Sequence, residues 1–132
     1  MKTMTTMLLA GALAALAAPT VAGAQEASGT FRADAHPTRG SVRLVEDGGR
    51  WFVELGASFR TDEGPDLKVV LHRDANPRSY ARSRYVSLGL LRRVNGRQRY
   101  AIPARIDPSQ FRSVVIWCEE FNVTFGHAVL ER

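Results

Sequence analysis

The sequence has a single cysteine, Cys118, and very little lysine or methionine. One cysteine cannot form an internal disulfide, so the fold has to be stabilised by its core alone. The methionines Met1, Met4 and Met7 all lie at the extreme N-terminus. The rest of the chain therefore lacks the axial methionine that mononuclear copper sites often use, which disfavours copper as a cofactor.

Motifs that define common enzyme and cofactor sites are also missing. The sequence contains no GxSxG, HExxH, Walker loop or GxGxxG, and no CxxCH for covalent haem attachment. Hydrolase, zinc-protease and nucleotide-binding functions therefore have no support. The histidines His36, His72 and His127 lack the paired short spacings of structural zinc sites, and no metal site is predicted. Haem held only by a cysteine thiolate stays open, because that ligation needs one cysteine.

The first 24 residues have the pattern of a secretory signal peptide. Lys2 gives a positive start, residues 7–18 are apolar, and the small residues Ala22-Gly23-Ala24 precede Gln25. The apolar stretch is shorter than the roughly 20 residues that cross a bilayer, and charges interrupt every later apolar run. We therefore expect cleavage near Ala24, a periplasmic or secreted product without a membrane span, and one domain over residues 25–132.

Arginine supplies almost all of the positive charge. The formal net charge is +5, and the stretch 78–99 contains Arg78, Arg82, Arg84, Arg92, Arg93, Arg97 and Arg99. This arginine-rich region 78–99 is a candidate docking surface for an acidic protein or an anionic head group. Because export is expected, nucleic acid is not a predicted partner. The alternative is an ordinary solvated surface.

Short runs rich in valine, leucine and aromatic residues recur between glycine, proline and aspartate clusters, and no long stretch after the leader has helical spacing. Strands are predicted at 29–34, 41–46, 50–56, 66–73, 85–91, 98–103, 113–118 and 121–130. The turn sequences Asp47-Gly48-Gly49 and Asn95-Gly96 favour hairpins. The chain is therefore predicted to be all-β, an antiparallel β-sandwich or small barrel of about eight short strands.

The connections and the last two strands carry further expectations. Residues 72–84 are polar and are predicted to form an exposed loop, and residues 104–112 a connection with one helical turn after Asp107. Residues 114–117 are apolar at every position, so this strand is expected to be covered on both faces. Phe121 and Phe125 are expected to be core residues. Cys118 ends the covered strand, and its exposure does not follow from the sequence.

Several stretches together resemble the DM-thirteen electron-transfer domain family. They are GTF at 29–31, His36 followed by Gly40, GPDLKVVL at 64–71, LGLL at 88–91, GRQRYAIP at 96–103 and VVIWCEEFNVTFGHAVL at 114–130. The most specific pieces are PDL at 65–67, YxIP at 100–103 and IWCxxFxVxFG at 116–126. The resemblance covers nearly all of the chain after the predicted leader.

The resemblance implies an all-β extracytoplasmic domain whose signature cysteine, Cys118, takes part in redox chemistry as a bare thiol or as the ligand of a prosthetic group such as haem. Trp117, Asp66 and His36 are the candidate supporting residues. The domain would be an electron-transfer module rather than a turnover enzyme. Its partner would be a separate membrane redox protein, because this sequence carries no DOMON or b-type cytochrome module.

Two other interpretations remain open at this point. Glu119 and Glu120 stand beside Cys118 and oppose formation of a thiolate. The residues therefore also fit a non-enzymatic extracytoplasmic binding or interaction module with an inert core cysteine. An unpaired cysteine in an oxidising compartment also permits a disulfide between two copies of the chain.

Overall fold

The computed structural model describes residues 2–7, 10–12 and 26–132, and in this part of the chain the regular structure is almost entirely β. The strands are β1 (Ala27–Ala33), β2 (Thr38–Arg39), β3 (Ser41–Asp47), β4 (Arg50–Leu55), β5 (Arg60–Thr61), β6 (Leu67–His72), β7 (Tyr85–Leu90), β8 (Gln98–Ala101), β9 (Ser113–Cys118) and β10 (Val123–Val129). Two short 3-10 helices cover Arg82–Arg84 and Pro108–Gln110. The all-β prediction is confirmed.

Most of the predicted signal peptide lies outside the described residues, so its cleavage stays a prediction. Within the residues that the structure does describe, no helix is both long enough and apolar enough to span a bilayer.

Eight of the strands form one antiparallel sheet in the order β7-β6-β9-β10-β1-β3-β4-β8. The β7–β8 connection joins the two edges of this sheet. The Arg92 N–H donates a hydrogen bond to the Tyr100 hydroxyl at 3.0 Å. The Arg93 N–H donates another to the Gln98 side-chain oxygen at 3.2 Å. The sheet therefore curls into a nearly closed barrel, and the prediction of about eight strands is confirmed.

Alternation along the strands places the core inside this barrel. On β3 and β4 the residues Val42, Leu44, Val53 and Leu55 are fully buried, as their spacing of two predicts. Each such side chain contributes about 1.5–3 kcal/mol of apolar burial to folding. The outward positions between them carry charged residues such as Arg43, so the sheet has one face buried in the core and one face exposed to solvent.

Strand β9 is the exception, because all six of its residues are buried. It lies between β6 and β10 in the middle of its half of the sheet. Val114, Ile116 and Cys118 join the interior core, whereas Val115 and Trp117 face outward and form a second cluster with Val70. Tyr80 and Tyr85 cover this outer cluster. The predicted coverage of β9 on both faces is confirmed.

Two burial predictions were wrong. His72 belongs both to the predicted strand 66–73 and to the predicted exposed loop 72–84. It ends β6 and is fully buried, so the strand assignment is confirmed and the assignment to an exposed loop is wrong. Phe121 was assigned to the core, but its side chain is 65% exposed. Phe121 lies in the turn between β9 and β10, where the chain leaves the alternating pattern, so a spacing of two no longer reports burial there. Phe125 is buried, as predicted.

Turn chemistry accounts for the tightest connection. Gly48 and Gly49 between β3 and β4 have positive φ angles of 59° and 79°. Two central residues with positive φ define the hairpin turn that matches strand twist, and glycine adopts it without a steric cost. The helical turn predicted after Asp107 is also present, and the Asp107 carboxylate accepts a hydrogen bond from the Ser109 N–H at 3.0 Å.

The two-residue strands β2 and β5 were not predicted. They pair with each other outside the main sheet, and the buried hydroxyls of Thr38 and Thr61 lie 3.1 Å apart across the pair. Gly126 of β10 allows this pair to pack closely, since a Cβ atom there would lie 2.3 Å from the Thr38 Cβ. Elements this short have no periodicity from which to predict them.

Glu54 is the buried carboxylate on the outer face of the barrel. Arg43 donates to it at 2.7 Å and Arg99 at 2.9 Å, while Arg97 lies 3.5 Å away. Hydrogen bonds from Arg43 and Arg99 hold the pKa of Glu54 below its ordinary value of 4.5. The carboxylate therefore joins β3, β4 and β8 by charge-assisted hydrogen bonds.

We expect Glu54→Gln to lower the free energy of unfolding by about 1–2 kcal/mol at neutral pH, because hydrogen bonds to a charged group are lost. The depressed pKa means that this stabilisation is present above pH 4.5 and is lost as the pH falls below that value. Denaturant unfolding at neutral and at acidic pH measures this. The difference in free energy of unfolding between wild type and variant should be smaller in acid. Glu46→Gln, at an exposed site on the same sheet, is the control, and a difference that does not change with pH would contradict the assignment.

Candidate functional site

Cys118 is the last residue of β9 and pairs with Leu67 of β6 on one side and Val123 of β10 on the other. Its side chain belongs to the interior core, and only 2% of the residue is exposed. The described part of the chain offers the thiol no hydrogen-bond partner. The structure thus answers the question of exposure that the sequence left open: the thiol is sealed.

Trp117 precedes Cys118 and faces the opposite side of the sheet. The Tyr80 ring stacks on its indole with ring centres 4.1 Å apart and planes at 9°. Tyr85 meets the same indole edge-on at 5.4 Å. The indole N–H donates to the Asn122 side-chain oxygen at 3.1 Å, which ties Trp117 to the β9–β10 turn.

Tyr80 comes from the long loop between β6 and β7, so this loop packs on the sheet instead of standing away from it. Its hydroxyl lies 2.6 Å from the Thr124 hydroxyl on β10. Burial raises the pKa of Tyr80 to about 12, and the nearby Asp34 carboxylate acts in the same direction. The phenol is therefore protonated at neutral pH. Tyr80 was missed from the sequence because its loop reads as polar, whereas Tyr85 begins β7 and falls in the predicted strand 85–91.

Asp66 holds the turn that follows Cys118. Its carboxylate accepts a hydrogen bond from the Glu120 N–H at 3.1 Å, and its backbone carbonyl accepts one from the Glu119 N–H at 3.1 Å. Lys68 lies 3.1 Å from the Asp66 carboxylate and 3.3 Å from that of Glu119. Asp66 therefore holds the hairpin turn that directly follows the cysteine.

His36 lies at the same end of the barrel but contacts other groups. Its imidazole stacks on the Phe125 ring at 3.8 Å, and Nδ1 lies 3.1 Å from the Asp62 carboxylate. Phe125 and Leu67 both approach Gly64, and Leu67 pairs with Cys118. The contacts that the structure gives the imidazole are therefore with Phe125 and Asp62 and not with the sulfur of Cys118.

The other two histidines are also engaged within the protein. His72 Nε2 lies 2.8 Å from the Ser79 carbonyl and Nδ1 accepts the Asp74 N–H, which defines a neutral ring with the proton on Nε2. His127 Nδ1 lies 2.6 Å from the Asp34 carboxylate and Nε2 lies 3.1 Å from the Asn76 side-chain oxygen. Over residues 2–7, 10–12 and 26–132, no three His, Cys, Asp or Glu side chains gather in a group able to hold a metal ion.

The surroundings of Cys118 do not fit a haem as the chain is folded here. A thiolate ligand needs an open face beside the sulfur, but the sulfur is packed within the core. A cleft whose wall includes Leu67, the strand partner of Cys118, has a volume of about 240 Å³. Ligand pockets usually hold roughly 300–1,000 Å³, so this cleft is too small for a macrocycle.

The arginine-rich region 78–99 does not form one surface. Arg84 ends the 3-10 helix directly before β7, next to Tyr85, which pairs with His72. Arg92 follows the other end of β7, where Leu90 pairs with Lys68. The six residues of β7, about 20 Å long, separate the arginines at 78–84 from those at 92–99. Arg84 forms an ion pair with Asp74, and Arg99 with Glu54 and Asp47.

The described residues thus form a nearly closed β-barrel with a buried cysteine in its core and an aromatic cluster on the outer face of the same strand. The family model described as "Electron transfer DM13" matches residues 30–130, and the chain belongs to this family. The predicted resemblance is thereby confirmed, and membership supports a general role in electron transfer. Comparisons with curated proteins and with solved structures give no match.

We expect the native Cys118 thiol to react with an aromatic disulfide reagent on the order of a hundredfold or more slower than in unfolded protein, because reaction requires local opening. Asp66→Ala should raise the native rate about tenfold, since the turn loses a charge-assisted hydrogen bond. Absorbance of the released thiolate measures both rates.

Asp107→Ala is the matched control for this experiment, because Asp107 also caps a turn with its carboxylate but lies away from the hairpin. It should leave the rate unchanged. Rapid stoichiometric reaction of the native wild type would show that the thiol is not sealed.

Proposed function

We propose that the chain is an exported electron-transfer domain that exchanges electrons with a separate membrane redox protein, and that Cys118 is the group whose oxidation state changes. The observation that carries the proposal is the family match, which spans all ten strands except the first three residues of β1. Cys118 is the only sulfur in this matched region, so it is the one side chain there with ready two-electron chemistry.

The hairpin end of the barrel supports docking of a partner near this sulfur. Phe121 in the β9–β10 turn is 65% exposed and Leu90 at the end of β7 is 60% exposed. Lys68 pairs with Leu90 on one side and with Trp117 on the other, which places both apolar side chains at the end of the barrel that contains Cys118. Exposed apolar side chains of this size favour contact with another protein.

A single thiol has only a few reversible oxidation reactions, and the reaction it uses determines which structural change the domain has to make. Without a second cysteine, oxidation within the chain converts the thiol and one water into a sulfenic acid, two protons and two electrons. The electrons pass to the oxidised centre of the partner, and reduction reverses every step. Because the water oxygen joins the sulfur, the turn closed by Asp66 has to open, and docking on Phe121 is the proposed cause of that opening.

The direct test is the redox response of the purified domain. We expect voltammetry to show a reversible signal, and a sulfenic-acid trapping reagent to label Cys118 after oxidation. Cys118→Ser should lose both, because its oxygen cannot undergo this cycle. Val123→Ala, at the residue paired with Cys118, disturbs the same packing but keeps the sulfur and should keep the signal.

The outcomes separate the two levels of the proposal. A signal that persists in Cys118→Ser would mean that another group carries the electrons. Absence of any signal in the wild type would overturn the electron-transfer function of the isolated domain.

A second candidate function is a binding or interaction module with an inert core cysteine. The observation that favours it is the burial of Cys118, which is 2% exposed within the apolar cluster. In that case Cys118→Ser would leave partner binding unchanged, whereas replacing the exposed Phe121 by Ser would weaken it. A disulfide between two copies is disfavoured by the same burial.

Export is part of the proposal and has its own test. In a secreting bacterial host, the protein should be found outside the cytoplasm with an intact mass that corresponds to a chain starting at Gln25, because Ala22 and Ala24 provide the small residues that signal peptidase requires. Replacing both alanines by leucine should block cleavage. A full-length protein retained in the cytoplasm would contradict export.

A further inference from the structure

The short β2–β5 pair places two arginines directly opposite each other. Arg39 pairs with Arg60, and the neighbouring pair is Thr38 with Thr61. The two threonine hydroxyls face inward and lie 3.1 Å apart. Since side chains alternate along a strand, both arginines face outward from the same side, and side chains directly opposite in an antiparallel pair start about 5 Å apart.

This arrangement brings together two positive charges that the described part of the chain leaves without a counter-ion. Neither guanidinium lies within 4.0 Å of a carboxylate there, whereas Arg43, Arg84, Arg97 and Arg99 all have such a partner. Like charges directly opposite on paired strands destabilise the pair. The nearest acidic residue along β5, Asp62, is engaged with His36 at 3.1 Å.

Both arginines line a cleft of about 490 Å³ that also offers neutral polar groups. Its other walls include Ser58, Asn95 and the backbone of Gly40 and Gly96. Both arginines also border a second cleft of about 440 Å³, but that one includes the Asp62 carboxylate. An anion would be repelled from the second cleft and attracted to the first, because no carboxylate lines the first.

We propose that Arg39 and Arg60 bind a dianionic oxyanion of the phosphate class in the cleft beside Ser58 and Asn95. Two guanidinium groups supply two positive charges, and their planar donors match the oxygens of a phosphate group. The Ser58 hydroxyl and the Asn95 amide add uncharged donors at the same cleft. A bound dianion would neutralise the opposed pair, so binding and stability are linked. The site is independent of the redox role of Cys118.

The test uses inorganic phosphate as the probe, with potassium chloride at matched ionic strength as the control. Phosphate should raise the melting temperature of the full domain in a saturable way, because a ligand bound only to the folded state stabilises it. Arg39→Gln and Arg60→Gln should each weaken binding about tenfold in calorimetry, since one charge-assisted contact is lost. Arg78→Gln, at an exposed loop arginine away from the cleft, should bind like the wild type.

Without phosphate, Arg39→Gln should melt at the same or a higher temperature than the wild type, because it relieves the repulsion. That result also shows that loss of binding is not loss of folding. Tighter binding of phenyl phosphate than of inorganic phosphate would identify a phosphate monoester as the ligand, and the reverse order would identify the free ion. Equal phosphate effects in wild type, Arg39→Gln and Arg60→Gln would overturn the proposal.

Discussion

The burial of β9 on both faces is the constraint on which the rest of this structure depends. A strand with six buried residues needs a core on one side and a cover on the other, and neither side can be left to solvent. The curled sheet supplies the core side. The β6–β7 loop supplies the cover, because Tyr80 stacks on Trp117. This loop, polar as it is in sequence, is therefore a structural part of the barrel.

The same constraint explains where Cys118 lies and what any chemistry there requires. Because Cys118 has the same parity as Val114 and Ile116, its side chain lies in the interior core at the point where the backbone turns away. Asp66 and Lys68 then hold the turn against β6 through hydrogen bonds and ion pairs at 3.1–3.3 Å. Several polar contacts at the rim, each of modest strength, decide whether the sulfur meets water. The electron transfer proposed for this cysteine would therefore depend on the stability of one hairpin.

The alternating and the fully apolar strands could be predicted from the sequence because burial determines their pattern. Apolar residues at every second position, such as Val42 and Leu44, indicate a strand buried on one face. The unbroken apolar run at 114–117 indicates a strand buried on both faces. The burial of Phe121 and His72 was predicted wrongly because Phe121 lies in the β9–β10 turn and His72 is the last residue of β6, where the spacing of two no longer reports burial. Strands β2 and β5 are held by a tertiary contact with Gly126, which leaves no local signal. The burial of Cys118 is a tertiary feature, and the turn that follows it is held by Asp66, 52 positions away, so no local pattern contains it.

Charge is distributed in this fold by topology rather than by sequence position. The arginines that cluster in sequence at 78–99 divide between the two ends of β7, while Arg43 and Arg99, which are far apart in sequence, share the carboxylate of Glu54. Antiparallel pairing brings opposite charges together at Glu54 and like charges together at Arg39 and Arg60. Both arrangements follow from the register of paired strands, which is fixed by the inward side chains: Val42 and Leu55 in the first case, Thr38 and Thr61 in the second. The core therefore decides which surface charges meet. An uncompensated pair of like charges persists on the surface because the packing beneath it stabilises the fold by more than the repulsion destabilises it. An anion bound between the two charges removes that repulsion, so such a pair is where a bound anion stabilises the fold most.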